Sequence, residues 1–258
     1  MNASLRRDRP RAFFTWPTLL IAGVVLWAAA TTEIDLARVA SAGPRLSDFL
    51  DRMFPPDLSV WREVRDGMAE TIRIAVIGTV GCVVLSAVLG FLAAERVSPK
   101  FVAMPVRMLL AFLRAIPLIL VAMLMVSAVG LGPLPGILAI TLHGAGMLGK
   151  YYAEAIDDVD AAPSLALESA GANRMQSLLF AVWPQMAPVI LRDTIFRFEL
   201  NLRESLILGV VGAGGIGFYI QTYVRAFQYQ KAATVALVVL ATVMVIEAIN
   251  ALVRQRAA

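Results

Sequence analysis

Residues 161–185, AAPSLALESAGANRMQSLLFAVWPQ, form a polar interruption between two long apolar segments, and the rest of the chain is read outward from them. Pro163 suits the first turn of a helix, where a missing N–H costs nothing. Gly171 suits the position just past a helix end, where a left-handed backbone carries no Cβ penalty. The helix between them is about two turns long, too short to persist alone in water. Asn173 followed by Gln176 reads as the N-cap pair of a second helix, expected to run to Pro184 and stop there. A short helix, a glycine stop and a second helix, all set between membrane spans, make a docking foot.

The flanking sequence is that of a membrane protein. Of 258 residues, 59% are hydrophobic and mean hydropathy is +0.74, values that place the chain among polytopic membrane proteins. A formal charge of +4 therefore points to arginines at the cytoplasmic ends of spans rather than to nucleic acid, and no nucleic-acid partner is expected. The single cysteine, Cys82, allows no internal disulfide. The lipid bilayer is the solvent of the apolar segments. Residues 1–12 carry Arg6, Arg7, Arg9 and Arg11 ahead of an apolar run without a clear cleavage site, so that run reads as a first span rather than a signal peptide.

Hydropathy gives about six spans: 13–30, 69–94, 115–131, 137–152, 186–209 and 231–253, each long enough to cross hydrocarbon if tilted. The fold class is an all-α membrane protein, one transmembrane domain over 1–258. Residues 31–66 read as an extracytoplasmic loop with amphipathic pieces, 104–113 as an interfacial stretch, and 153–185 as the cytoplasmic loop bearing the foot. Arg96, Lys100, Arg107, Arg254 and Arg256 lie on the side of the N-terminal arginines, so both termini are expected in the cytoplasm. Arg114 reads as marking the cytoplasmic edge of the third span.

The fifth span is unusual, carrying Arg192, Asp193, Arg197, Glu199, Arg203 and Glu204. At about 100° per residue Arg192, Glu199 and Arg203 share one stripe, and Asp193, Arg197 and Glu204 share another roughly 120° away. Asp193–Arg197 and Glu199–Arg203 have the favourable i,i+4 order. A charge at the bilayer centre costs about 2.5–3.5 kcal/mol, so these groups must face each other, protein or water. Two readings remain open: ion pairs that hold the bundle together, or one wall of an aqueous path whose arginines suit an oxyanion. His143, the only histidine, is either a satisfied polar group at a helix contact or part of that path. Glu154, Asp157, Asp158 and Asp160 read as a solvated acidic turn, with Lys150 and Glu154 paired.

Gly212, Gly214, Gly215 and Gly217 follow, and the first, second and last of them formally spell a dinucleotide fingerprint, Gly-x-Gly-x-x-Gly. The fingerprint requires a preceding strand, and here a membrane helix precedes it. Sharp turning or close backbone packing at the extracytoplasmic mouth is the expected role. There is no G-x-x-x-x-G-K-S/T loop, no metal-ligand constellation and no catalytic triad. Neither a cofactor nor a metal nor an enzymatic activity is expected of this chain.

These stretches resemble a known family. The 161–185 loop is similar to the coupling loop of ABC-importer permeases, Glu-Ala-Ala, three residues, Gly, nine residues, then apolar-x-apolar-Pro. Gly171 and Pro184 hold the spacing and Ala166 the first alanine, but Leu165 replaces the family Glu and Leu167 the second alanine. Glu168 lies one turn on from Leu165. RFELNLRESLILGVVGAGGIG (197–217), AFQY (226–229), FLDRMFPPDLS (49–59), RAIP (114–117) and GLGPLPGILAITLHGAGMLGKYYAEAI (130–156) look like the permease subunit of phosphonate-type ABC importers. The resemblance implies the type I importer permease fold in a bacterial inner membrane. It also implies a homodimer, two cytoplasmic ABC ATPase subunits and an extracytoplasmic substrate-binding protein delivering a phosphonate, phosphite, hypophosphite or phosphate ester. On it, Pro163, Leu165, Ala166, Glu168, Gly171 and Pro184 couple to the ATPase; Arg192, Arg197, Glu199, Arg203, Glu204 and His143 line the path; the four glycines gate its mouth. A permease for methionine or another small solute, and an ion-coupled secondary transporter, are the alternatives.

Overall fold

A computed structural model describes residues 16–32 and 41–257, with side chains up to 248. The N-terminal arginines, the start of the first expected span and the side chains of Arg254 and Arg256 lie outside the described residues. Every regular element described is helical. Contacts divide the chain into two compact units, residues 1–51 and 52–258. The first holds the apolar helix α1 (Trp16–Thr31) and most of the amphipathic α2 (Ala42–Met53), which falls in the loop expected to carry such pieces.

The second unit is built on a pair of long helices, α3 (Trp61–Ala93) and α6 (Pro133–Asp157). α3 begins polar, with Arg62, Glu63, Arg65, Asp66, Glu70 and Arg73, and is uncharged from Ile74 to its end. That stretch is about 30 Å long at 1.5 Å per residue, the thickness of the hydrocarbon layer. Small residues let the two backbones approach. A Cβ at Gly78 would stand 2.7 Å from Ile140, at Gly144 2.8 Å from Cys82 Sγ, and at Gly90 2.8 Å from Tyr152. These pairings advance together along the two helices, so the pair is parallel. It also defines a ruler: Ile74 marks one face of the slab and Ala93 the other.

α4 (Lys100–Ala115) and α5 (Leu118–Val129) meet at 90°. Where 104–113 is expected in the interface and 115–131 as the third span, the chain instead forms one helix into the slab and breaks. Pro117 supplies no N–H, and the residue before it, Ile116, takes the extended backbone that proline imposes (φ −80°, ψ 123°). After the foot, helical structure runs from Arg174 to Val211, turns at residues 212–215 and resumes to Arg225. It comprises α8 (Arg174–Ser177), a π turn (Leu178–Val182), α9 (Trp183–Leu208), a 3-10 turn (Gly209–Val211) and α10 (Ile216–Arg225). α11 (Tyr229–Ala257) returns and packs on α10 and α3.

Three described helices are long and apolar enough to cross a membrane, or four if α4 and α5 count as one crossing, against the six or so expected. The difference has a physical origin. α1 has 16 residues, and α6 packs on α3, α4, α5 and α9. Surrounded by protein, α6 needs no lipid-facing apolar surface all round.

Candidate functional site

The foot, α7 (Ala162–Ser169), forms as its sequence dictates. Pro163 sits in the first turn. At the other end Gly171 adopts φ +91°, its N–H reaches the Glu168 carbonyl at 3.0 Å, and the Ala172 N–H reaches that of Leu167 at 3.0 Å. This crossed pair is the Schellman stop. Asn173 and Gln176 form a reciprocal capping box, both bonds at 2.9 Å. Pro163, Leu165, Ala166 and Glu168 are all exposed. Pro184 departs from expectation: instead of stopping the second helix it enters the first turn of α9, just after the π turn. A proline there removes an N–H that the wider π turn leaves without a regular acceptor, so the helix passes through.

Behind the foot lies a clamp that the sequence does not announce. Arg107 donates to Asp157 Oδ2 (2.6 Å), Glu95 Oε1 (2.7 Å) and the Ala93 carbonyl (2.8 Å). The Arg96 N–H donates to Asp157 Oδ1 at 3.0 Å. Asp157 therefore belongs to a lock joining the ends of α3 and α6 to the middle of α4 rather than to a solvated acidic turn. Its partners lie 61 and 50 residues away in sequence, so no local spacing marks them. Lys150 and Glu154 do pair, at 3.3 Å. Gln185 ties α9 to the start of the foot through both the Asp160 N–H and its carbonyl.

Along α9 the six charges sort themselves. The Asp193–Arg197–Glu204 stripe turns inward and the Arg192–Arg203 edge faces out. Arg197 is 2% exposed and holds Glu204 at 2.8 Å, with Met147 Sδ 3.6 Å from its other terminal nitrogen. The expected Asp193–Arg197 pair is replaced: Asp193 binds Arg192 (3.1 Å), while Arg197 turns toward α6 and α9's next two turns. Glu199–Arg203 forms at 3.7 Å, and Arg203 also reaches Glu247 of α11 at 3.0 Å. Arg192, 73% exposed, borders a cavity of about 480 Å³ near the foot with Tyr151, Glu154 and Asp158. It lies about 16 Å along the axis from Arg203, so the structure does not bring those two together. Asn201 donates to Thr79 at 2.8 Å. Arg197 Nε, Asn201 Oδ1 and His143 Nδ1 are buried without a hydrogen-bond partner. The His143 ring faces the backbone at Leu113 and Ile116, where α4 breaks.

Arg114 stands deeper than its place at the start of the third expected span implies. A Cβ at Gly146 would lie 2.8 Å from the Arg114 backbone nitrogen. Gly146 is two residues from Gly144, which abuts Cys82, and Cys82 is eight residues into the slab from Ile74. The sum is about 15 Å. The Arg114 backbone thus stands at mid-depth, not at the cytoplasmic edge. The break at Pro117 was the available signal, because it lets α4 end inside the slab.

At the far end of α9 the chain turns through Gly212, Gly214 and Gly215, with φ +84°, +82° and +82°. Gly217 has ordinary φ but no room for a side chain: its Cα faces the Leu206 carbonyl and Gly209. The turn is held from α3: Glu70 Oε1 accepts from the Gly215 N–H at 3.0 Å, and Thr71 Oγ1 from the Ile216 N–H at 2.8 Å. A cavity of about 250 Å³ opens beside it, lined by Glu70, Leu131, Phe218 and Tyr219. A helix precedes these glycines, so the dinucleotide reading has no scaffold. No cluster of potential metal ligands occurs among the described residues.

A helical membrane bundle that offers a capped foot on one side and a glycine turn at the other has the anatomy of a transporter's membrane subunit. Residues 86–258 match the family of binding-protein-dependent transport system inner membrane components, and the chain belongs to it. It is therefore a multi-pass membrane protein. It is 40% identical over 238 residues to the phosphite transport system permease protein PtxC of Stutzerimonas stutzeri, covering 92% of this chain and 86% of that one. With the putative phosphite transport system permease protein HtxC of the same organism it shares 35% over 254 residues, covering 97% and 89%. It is 40% identical over 207 residues to the phosphate-import permease protein PhnE of Mycolicibacterium smegmatis, covering 80% of this chain but 39% of that longer one. Its fold is shared with a chain of an amino acid ABC transporter (TM-score 0.62, 15% identity, 87% of this chain and all of that one). It is shared equally with a chain of the MetNI methionine transporter (TM-score 0.62, 18% identity, 76% and 96%).

Proposed function

We propose that this chain is the permease half of an ATP-driven importer for a phosphorus oxyanion such as phosphite, phosphonate, hypophosphite or a phosphate ester. The observation that carries the reading is the near-full-length similarity to a phosphite transport permease. Residues 1–258 act as one transmembrane permease domain that pairs with a second copy, both termini in the cytoplasm. The foot, with Pro163, Leu165, Ala166, Glu168 and Gly171, docks on a separate ABC ATPase, and a secreted binding protein delivers cargo at the glycine mouth. Pro184 starts the helix that carries the foot's motion into the charged segment. The chain hydrolyses nothing itself.

Alternating access follows from the anatomy. Closure of the ATPase dimer moves two feet, each fixed to its bundle by the Arg107–Asp157–Glu95 clamp and the Gln185–Asp160 tie. The rigid α3–α6 pair transmits the movement to the glycine turn, which Glu70 and Thr71 hold against α3. Arg197–Glu204, with Arg192, Glu199, Arg203 and His143, supplies the polar wall between.

The test is reconstitution in liposomes. Labelled phosphite, phosphate and methylphosphonate are offered with and without ATP, ATPase subunit and binding protein. Uptake of at least one anion that needs all three additions is expected. Uptake by this chain alone on an ion gradient would overturn the reading.

A further inference from the structure

We propose that Arg114 is the cation that receives the transported oxyanion halfway across the membrane, an assignment that rests on the function proposed above. Three observations converge on it. Arg114 is exposed at mid-depth and has no hydrogen bond or ion pair among the described residues. Its counterparts differ: Arg197 holds Glu204, and Arg203 holds Glu199 and Glu247. The third observation is the backbone. At Ile116–Pro117 the chain leaves helical geometry in the middle of the slab, with Pro117 and the adjoining Ala115 exposed. Irregular backbone at such depth is tolerated only inside protein or along a water-filled cavity.

Magnitudes exclude the local explanation. Arg114 lies in the last turn of α4, where the helix dipole favours a cation only weakly. Placing a charge at mid-depth costs several times more than the dipole returns. The dipole does not offset that, so water or an anion must. The α5 helix, 12 residues long, begins at Leu118, four residues on, with the positive end of its own dipole at the break. The negative end of α4 lies at the same break and opposes that of α5, so the guanidinium is the net positive charge at this uncovered spot, and it favours an anion. A guanidinium is the side chain whose fork matches two oxygens of a phosphorus oxyanion.

The test uses the reconstituted complex. R114Q should assemble with the ATPase and lower binding-protein-dependent anion uptake by roughly tenfold or more, the scale of losing one charged hydrogen bond. R114C gives the independent arm, since the native Cys82 is buried and the unmutated complex controls for it. An ammonium-bearing methanethiosulfonate should label R114C and restore uptake, whereas a sulfonate-bearing one should label it and leave uptake low. Unmodified R114C with normal uptake, equal rescue by both reagents, or rescue by neither overturns the assignment. An unmutated complex that carries none of the three anions removes the proposed function instead. One that carries an anion equally well with R114Q removes only the role of Arg114.

Discussion

Gly171 in the foot and Gly214 at the mouth hold nearly the same left-handed backbone, φ +91° and +82°, in opposite surroundings. A Cβ at Gly171 would meet nothing within 4 Å. At Gly214 it would stand 2.5 Å from Glu70 Oε1 and 2.9 Å from the Pro133 Cα. One glycine is required by backbone conformation alone, the other by conformation and by packing. The foot is finished as an isolated object with its caps made internally, and its outer face is left free for something else. The mouth is finished only by α3 and α6 closing over it. A transporter needs that asymmetry: the element an external motor grips must stay uncovered, and the element that closes a passage must be seated against its neighbours.

The largest test of the contrast is Gly214→Ala. It adds the left-handed penalty of about 1–2 kcal/mol to overlap with the Pro133 backbone, which the flexible Glu70 can escape but Pro133 cannot. Overpacking of that kind costs about 1–3 kcal/mol, so a loss near 3 kcal/mol is expected as a lowered Tm of purified permease in detergent. A Tm equal to that of Gly171→Ala would show the mouth to be as open as the foot.

Next is Thr71→Val, which keeps shape but removes the acceptor of the buried Ile216 N–H. An unsatisfied buried donor costs about 1–3 kcal/mol. Thr71→Ser retains the hydroxyl and should recover most of the loss by the same measurement. If valine and serine behave alike, the hydroxyl does not seat the turn.

The same contrast explains what sequence could say. Caps are local: Pro163, Gly171, Asn173 and Gln176 sit within a few residues of the groups they satisfy, and each acts where its spacing put it. The two stripes on α9 were legible from helical periodicity, but the partners were not. Arg197 could reach Asp193 or Glu204, and the surface of α6 at Gly144 and Met147, invisible to periodicity, decides between them. Asp157 looked like part of a solvated turn because Arg107 and Arg96 come from elsewhere in the chain. Arg114 was misplaced for a related reason: a span counted by hydropathy is assumed straight, and the depth of a residue on a broken helix follows from what it packs on.

The smallest structural effect is expected at the foot, and it separates stability from coupling. Gly171→Ala should cost the isolated permease only the left-handed penalty, about 1 kcal/mol, because its methyl enters open space. Gly171→Glu pays the same backbone cost, since its side chain also points into solvent, so the two variants should unfold together. In the complex they should part. If α7 is seated on the ATPase, a carboxylate at the helix stop lies in the contact, and ATP hydrolysis driven by loaded binding protein should continue while uptake falls; the alanine variant should keep both. Equal coupling in the two variants would mean that the open space beside Gly171 stays open in the assembled transporter, and that the motor grips the permease elsewhere.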